Sequence, residues 1–262
     1  MPSRPHDSSS GSGSGFGFGS GSGSGSGSGF GSGLGPGCGS GSGRARGDVV
    51  RHPLFSRCYA RLGAAAETRA GLAGVRDRLL AGLSGRVVEI GAGSGLNFAH
   101  YPAAVCEVVA IEPERRLRRW ALEAALRAEV PVDVVPGVAE ALPVKSEAFD
   151  AAVLSLVLCS VRDVGRALAE LRRVLRPGGE VRFLEHGPGG GPTMLFAQRA
   201  LDRTVWPHLA GGCRLTRDTV GALRDAGFEL GPYRRTTLPE RGPRLPFSYC
   251  VTGAAWRPPE PG

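Results

Sequence analysis

The sequence predicts an α/β fold in which a largely parallel sheet carries helices on both faces. Three observations predict it. Short apolar runs suited to buried strands alternate, between residues 72 and 256, with segments whose apolar residues recur at helical spacing. The first of these runs ends in a glycine-rich turn, Gly91-Ala-Gly-Ser-Gly95. The second ends in an acid, Glu112, 21 residues after Gly91.

Taken in order, residues 54–62 and 72–83 carry apolar residues at helical spacing, the second segment stopping before Gly85. Residues 86–90, Arg-Val-Val-Glu-Ile, read as a buried strand, and a helix is expected after Gly95. Residues 108–112 form the next strand. Pro113 and Glu114 then open a helix over 115–129, because proline's fixed φ suits a first helical turn. Leu117, Trp120, Ala121, Ala124 and Ala125 share one face of it. Residues 132–135 are a short strand and 151–156 a nearly continuous apolar one. A helix over 164–175 stops at Arg176-Pro-Gly-Gly179, and 181–185 is a fifth strand. Met194, Leu195, Phe196, Leu201, Val205 and Trp206 are expected along one apolar helix face. Thr216 is the expected N-cap of a helix ending at Ala226-Gly227. Residues 228–233 and 247–255 close the fold as an antiparallel hairpin.

Composition narrows the class. The chain has 262 residues, a formal charge of +8 and 42 glycines, of which 17 occupy every odd position from Gly11 to Gly43. Residues 1–47 cannot bury enough apolar area to offset backbone entropy, so a disordered Gly/Ser tail is expected, either a tether or sequence ahead of the true start. Residues 48–259 are then one domain. The most apolar stretch, 151–161, is short and broken by serine, so no transmembrane anchor is expected, and no signal peptide is visible. The six cysteines show no CxxC spacing and the five histidines no HxxxH, so no metal site is expected; free thiols suit a reducing, cytoplasmic setting. Lys145 is the only lysine, and the 31 arginines are interleaved with acids, so no nucleic-acid partner is expected. Oligomeric state leaves no signature.

The glycine turn and the acid carry the chemistry. A turn without Cβ atoms admits a ligand close to the backbone at a strand's carboxyl end, where open α/β sheets bind ligands. Glu112 is placed to accept hydrogen bonds from ribose hydroxyls, so the pair points to an adenosine-containing cofactor. The dinucleotide fingerprint would need glycine at 96, where Leu96 stands, and Ala141 denies the lone lysine a Tyr-x-x-x-Lys partner.

Glu89-x-Gly91-x-Gly93-x-Gly95 instead resembles motif I of class I S-adenosylmethionine-dependent methyltransferases. Gly137-Val-Ala-Glu-Ala-Leu-Pro143 resembles that family's adenine loop, and Leu171-Arg-Arg-Val-Leu-Arg-Pro-Gly-Gly179 the segment leading to its fifth strand. The resemblance implies a Rossmann-like, seven-stranded, mostly parallel sheet binding S-adenosyl-L-methionine. Glu89 would lie near the amino-acid moiety, with Gly91, Ala92, Gly93, Gly95 and Asn97 around it. Glu112 and Pro113 would meet the ribose, and Val138, Ala139 and Glu140 the adenine. Ser155 would also contact the cofactor. The family often has an acid where Val138 stands, which shifts the adenine contact to backbone or to Glu140.

Leu156-Val-Leu-Cys-Ser-Val161, Glu185-His186, Asp202…Trp206-x-His208 and Gly212-Cys-x-Leu-Thr-Arg217, with Asn97 and Tyr101-Pro102, are similar to the thiol S-methyltransferases of animal membranes and their bacterial relatives. These merge into quinone-type (methyltransferase type 11) enzymes. The resemblance implies methylation of a small, lipophilic acceptor, thiol first and quinone or phenol second. His186, just past the fifth strand, would promote thiol ionisation, with Asp202 and His208 in a roof over the acceptor. Cys213 reads as packing, and Arg217 as a partner for Asp202 or Glu185. A nicotinamide-dependent oxidoreductase and a non-catalytic cofactor-binding module are the rivals from other classes.

Overall fold

The computed structural model describes residues 72–240 and 242–259. The helix expected over 54–62 and the division of the chain at residue 47 lie outside them. Helix α1 (Leu72–Leu80) leads into β1 (Gly85–Ile90), followed by β2 (Val105–Ile111), α2 (Arg115–Ala125), β3 (Val132–Val135) and β4 (Phe149–Ser155). Then come α3 (Val164–Val174), β5 (Leu175–His186), α4 (Pro192–Arg203), α5 (Trp206–Leu209), α6 (Thr219–Asp225), β6 (Glu229–Thr237) and β7 (Tyr249–Trp256).

The strands form one seven-stranded sheet in the order β3-β2-β1-β4-β5-β7-β6. The first five are parallel, and β7 runs antiparallel to both β5 and β6. The expected closing hairpin is therefore present, with its second strand laid against the parallel core.

Burial follows the period of two. Val88, Ile90, Val109, Ile111 and Ala152 face one core, closed by Leu168 and Leu171 of α3 and Leu223 of α6. Val87, Val108, Ala110, Ala151 and Val153 face the other, closed by Val75, Leu79 and Leu80 of α1 and Ala121 of α2. Helices thus cover both faces, which is why β1 reads as an apolar run. Past Arg86 at its start, only Glu89 interrupts it.

Three expectations on individual elements are corrected. After Gly95 there is no α-helix but a single 3₁₀ turn, Phe98–His100, ended by the extended Tyr101-Pro102; a residue before proline is pushed out of helical geometry. The N-cap of α6 is Asp218, whose Oδ1 accepts from the Gly221 amide at 3.0 Å. Thr216 instead donates its hydroxyl to Asp202 Oδ2 at 2.7 Å. The helix expected to 129 ends at Ala125, with Leu126 as its cap.

Candidate active site

Strand order reverses at β1, which has β2 on one side and β4 on the other. Connections leave these strands toward opposite sides and open a crevice beyond their carboxyl ends.

On one side lies the glycine turn. Gly91, Gly93 and Gly95 have φ of 67°, 59° and 80°, a region costly for residues bearing a Cβ. A Cβ at Gly91 would stand 2.6 Å from Val157 Cγ2, and one at Gly95 2.7 Å from the Phe98 ring. Internal packing therefore demands these two glycines. The amides of Gly91 and buried Ala92 both donate to the Ile111 carbonyl, at 2.7 and 3.1 Å, which lays the turn across the end of β2.

Glu112 follows directly. Its Oε2 accepts from the Gly93 amide and its Oε1 from the Glu114 amide, each at 2.8 Å. A carboxylate has about four lone-pair sites, so two remain for hydroxyl donors. Burial raises its pKa to about 7 against the lowering effect of those amides. Glu89 is enclosed in the same way: Asn97 Nδ2 donates to Oε1 and the Tyr101 hydroxyl to Oε2, both at 2.8 Å. Arg76 holds Asn97 in turn, donating to its Oδ1 at 2.5 Å. Burial lifts Glu89 to about 7 as well.

The loop 137–143 is tied to α3. The Leu142 amide donates to Glu170 Oε2 at 2.7 Å, and Arg173 grips Glu170 with two bonds while reaching the Leu142 and Val144 carbonyls. Val138 and Glu140 are half-buried and Ala139 is buried. Glu140 Oε1 accepts from the Arg162 and Asp163 amides at 3.0 and 3.4 Å. Pro113, beside Glu112, and Ser155, the last residue of β4, are both half-buried.

On the other side, Glu185 of β5 is wholly buried and accepts from three successive amides: Val157 at 2.8 Å, Leu158 at 2.9 Å and Cys159 at 3.1 Å. Burial raises its pKa, and the three N–H groups pull it back. The loop after β4, which begins with Leu156 at φ 60°, is thereby fixed over the strand ends. His186 comes next. Its Nδ1 lies 3.6 Å from Cys159 Sγ and 3.3 Å from Cys213 Sγ.

The structure does not join the three expected catalytic residues. Asp202 turns its carboxylate to the Leu215 amide (2.7 Å), the Thr216 amide (3.0 Å) and the Thr216 hydroxyl. His208 lies exposed in α5. Arg217 pairs with neither acid; its guanidinium donates to the Leu158 and Val161 carbonyls at 2.5 and 2.8 Å, so it braces the same loop as Glu185. The expected apolar face divides: Phe196 is 75% exposed, whereas Trp206 stacks on Phe247 with ring centroids 5.2 Å apart. The buried residues of α4 are polar, Gln198 and Asp202. Gln198 was missed by sequence reasoning. It binds the Gly189 amide and the Gly187 and Pro246 carbonyls, work that no periodicity announces. Cys159 was likewise missed as a neighbour of His186.

Known proteins agree with this architecture. The family profile described as "Methyltransferase domain" matches residues 88–183. Human thiol S-methyltransferase TMT1B is 35% identical over 183 residues, spanning 67% of this chain and 73% of its own. The ubiquinone/menaquinone biosynthesis C-methyltransferase UbiE of Syntrophotalea carbinolica is 33% identical over 196 residues, spanning 68% and 81%. A crystal structure from Thermotoga maritima, described as a SAM-dependent methyltransferase and possible histamine N-methyltransferase, shares the fold with TM-score 0.57. It is 24% identical and covers 78% of this chain and 98% of that one. No helix among the described residues is long and apolar enough to cross a membrane. Strand order, glycine turn and relatives converge: the chain belongs to the class I S-adenosylmethionine-dependent methyltransferases.

Proposed function

We propose that this enzyme methylates a small, lipophilic thiol. The observation that carries the reading is the wall beyond β4 and β5, where two thiols and an imidazole sit among Leu156, Leu201, Trp206 and Leu215. The 35% identity to a human thiol S-methyltransferase supports thiol as the acceptor.

The residues on the opposite side fit the cofactor. Glu112 keeps two lone-pair sites for the two ribose hydroxyls, next to Pro113. Glu89, through Asn97, shapes the end that takes the amino-acid moiety. Glu140 spends Oε1 on the Arg162 and Asp163 amides, which leaves the backbone of Val138 and Ala139 to meet the adenine. When bound, S-adenosylmethionine supplies an electrophilic methyl group whose bonding pair stays on its sulfur as the acceptor's pair forms the new bond. The protein's work is alignment and exclusion of water. Glu185 and Arg217 hold the loop after β4 in place, Asp202 anchors the segment carrying Cys213, and His186 faces the acceptor. A free thiol acceptor agrees with a reducing, cytoplasmic setting.

The 33% identity to UbiE favours a second reading, methylation of a quinone or phenol. Mass spectrometry of products from panels of alkyl thiols, phenols and demethylated quinones decides between them. Methyl thioethers are expected from the thiols; dominant ether or ring-methylated products would transfer the function to the second reading. Calorimetry showing binding of NADH and not of S-adenosylhomocysteine would refute both.

A further inference from the structure

We propose that Cys159, His186 and Cys213 form a site for a soft or borderline divalent metal ion, with zinc the expected occupant, and that its fourth position takes the acceptor thiol as thiolate. The second half rests on the function proposed above.

The two sulfur atoms and the imidazole nitrogen lie within 4.8 Å of one another. With zinc–sulfur near 2.3 Å and zinc–nitrogen near 2.0–2.1 Å, a tetrahedral site has nitrogen–sulfur edges of about 3.5 Å. The observed edges, 3.3 and 3.6 Å, bracket that value. Thiolate and imidazole donors select zinc or copper over magnesium or calcium. It is the only such trio among the described residues, and two cysteines with one histidine leave a coordination position open, as in catalytic zinc sites.

The ligands are held before any ion arrives. Glu185 fixes the Cys159 amide, the pairing of β5 with β7 fixes His186, and Asp202 fixes the residues after Cys213. The Arg214 amide donates to the Cys159 carbonyl at 2.8 Å, stitching the two cysteine segments together. Gly212, at φ 93°, allows that approach: a Cβ there would stand 3.0 Å from the Ser160 carbonyl oxygen. Trp206 packs against the same cysteines, and its indole N–H is buried without a partner among the described residues, leaving a donor for a sulfur ligand.

The site adjoins the cofactor turn, because Val157, two residues before Cys159, fills the space left by Gly91. A thiol entering the open position loses its S–H bond. Its sulfur keeps the electron pair and binds the metal, and the proton leaves to solvent. No electron is gained or lost. The result is the thiolate that methylation needs.

The test uses the full chain, purified from zinc-supplemented medium, and its cobalt(II)-exchanged form. Elemental analysis is expected to find about one zinc per chain. Cobalt should give thiolate charge-transfer bands and tetrahedral d–d bands that shift when a simple alkyl thiol is added. Cys159→Ser and Cys213→Ser should each lower metal affinity at least about tenfold. His186→Cys, which keeps three ligands, should retain metal, and His186→Phe should lose it. Calorimetry with S-adenosylhomocysteine reports that each variant is folded. Metal-free protein, a Cys159–Cys213 disulfide, or equal metal in wild type and both serine variants overturns the metal site. Bound metal whose cobalt spectrum ignores a thiol that is nonetheless methylated overturns the thiolate half alone. Bound metal with no thiol methylation overturns the function proposed above and leaves the site standing.

Discussion

Glu89 and Glu112 both hold their protons more tightly than an exposed acid does, since burial raises each to about 7 from 4.5. The folded state therefore retains protons that the unfolded chain has released, and stability falls as pH rises from 4.5 toward 7. The loss is up to about 3 kcal/mol for each group. Urea denaturation of cofactor-free protein should show lower stability at pH 8 than at pH 5. Ribose hydroxyls donate to the ionised carboxylate, so affinity for S-adenosylhomocysteine should rise through pH 7 and then level off. Glu112→Ala should weaken that affinity by about 1.5–3 kcal/mol, roughly 10- to 150-fold, in calorimetry. Unchanged affinity would mean the ribose lies elsewhere. The place of Glu112, at the end of the second strand against the glycine turn, was legible in the sequence, because spacing and strand pattern alone put it there. Gln198 was not, because its partners are backbone atoms of remote loops.

At the level of elements, most strands and helices were legible where burial imposed a period; the helix expected after Gly95 was lost to the turn before Pro102, and the start of α6 was misread because two caps competed. Thr216 and Asp218 are both capping types two residues apart. Asp202 claims the threonine hydroxyl, and the aspartate takes the helix. Asp202→Asn places an amide donor among three donors and should cost about 1–3 kcal/mol. Hydrogen exchange should show the Leu215 and Thr216 amides opening faster; unaltered exchange would deny Asp202 its anchoring role. Gly91→Ala forces a Cβ into Val157 at positive φ, so cofactor affinity and stability should both fall. Adding Val157→Ala removes the collision and not the φ penalty, so calorimetry should recover part of the loss.

At the scale of the molecule, ligand binding adds to stability by mass action. S-adenosylhomocysteine at 100 times its Kd should contribute about 2.7 kcal/mol, a Tm increase of roughly 5–10 °C for a domain this size. NADH at the same concentration should leave the Tm where it was. The sheet order could be expected from the alternation of elements together with the family resemblance, but the Cys–His trio could not. Its members are separated by 27 residues on either side of His186, and only the assembled strand ends bring them together. Local spacing rules, which look for ligands a few residues apart, are blind to it.

The reversal of strand order at β1 also divides the labour of the chain. Residues 85–143 hold every carboxylate proposed for the cofactor, while the ends of β4 and β5 and the stretch 187–217 build the wall proposed for the acceptor. The two halves meet where β1 pairs with β4 and, at the strand ends, where Gly91 packs on Val157. On the proposed reading the acceptor side travels as a cassette: transplanting 187–217 from a relative of different substrate, with 156–161 to match it, should re-address the enzyme while leaving its methyl source alone.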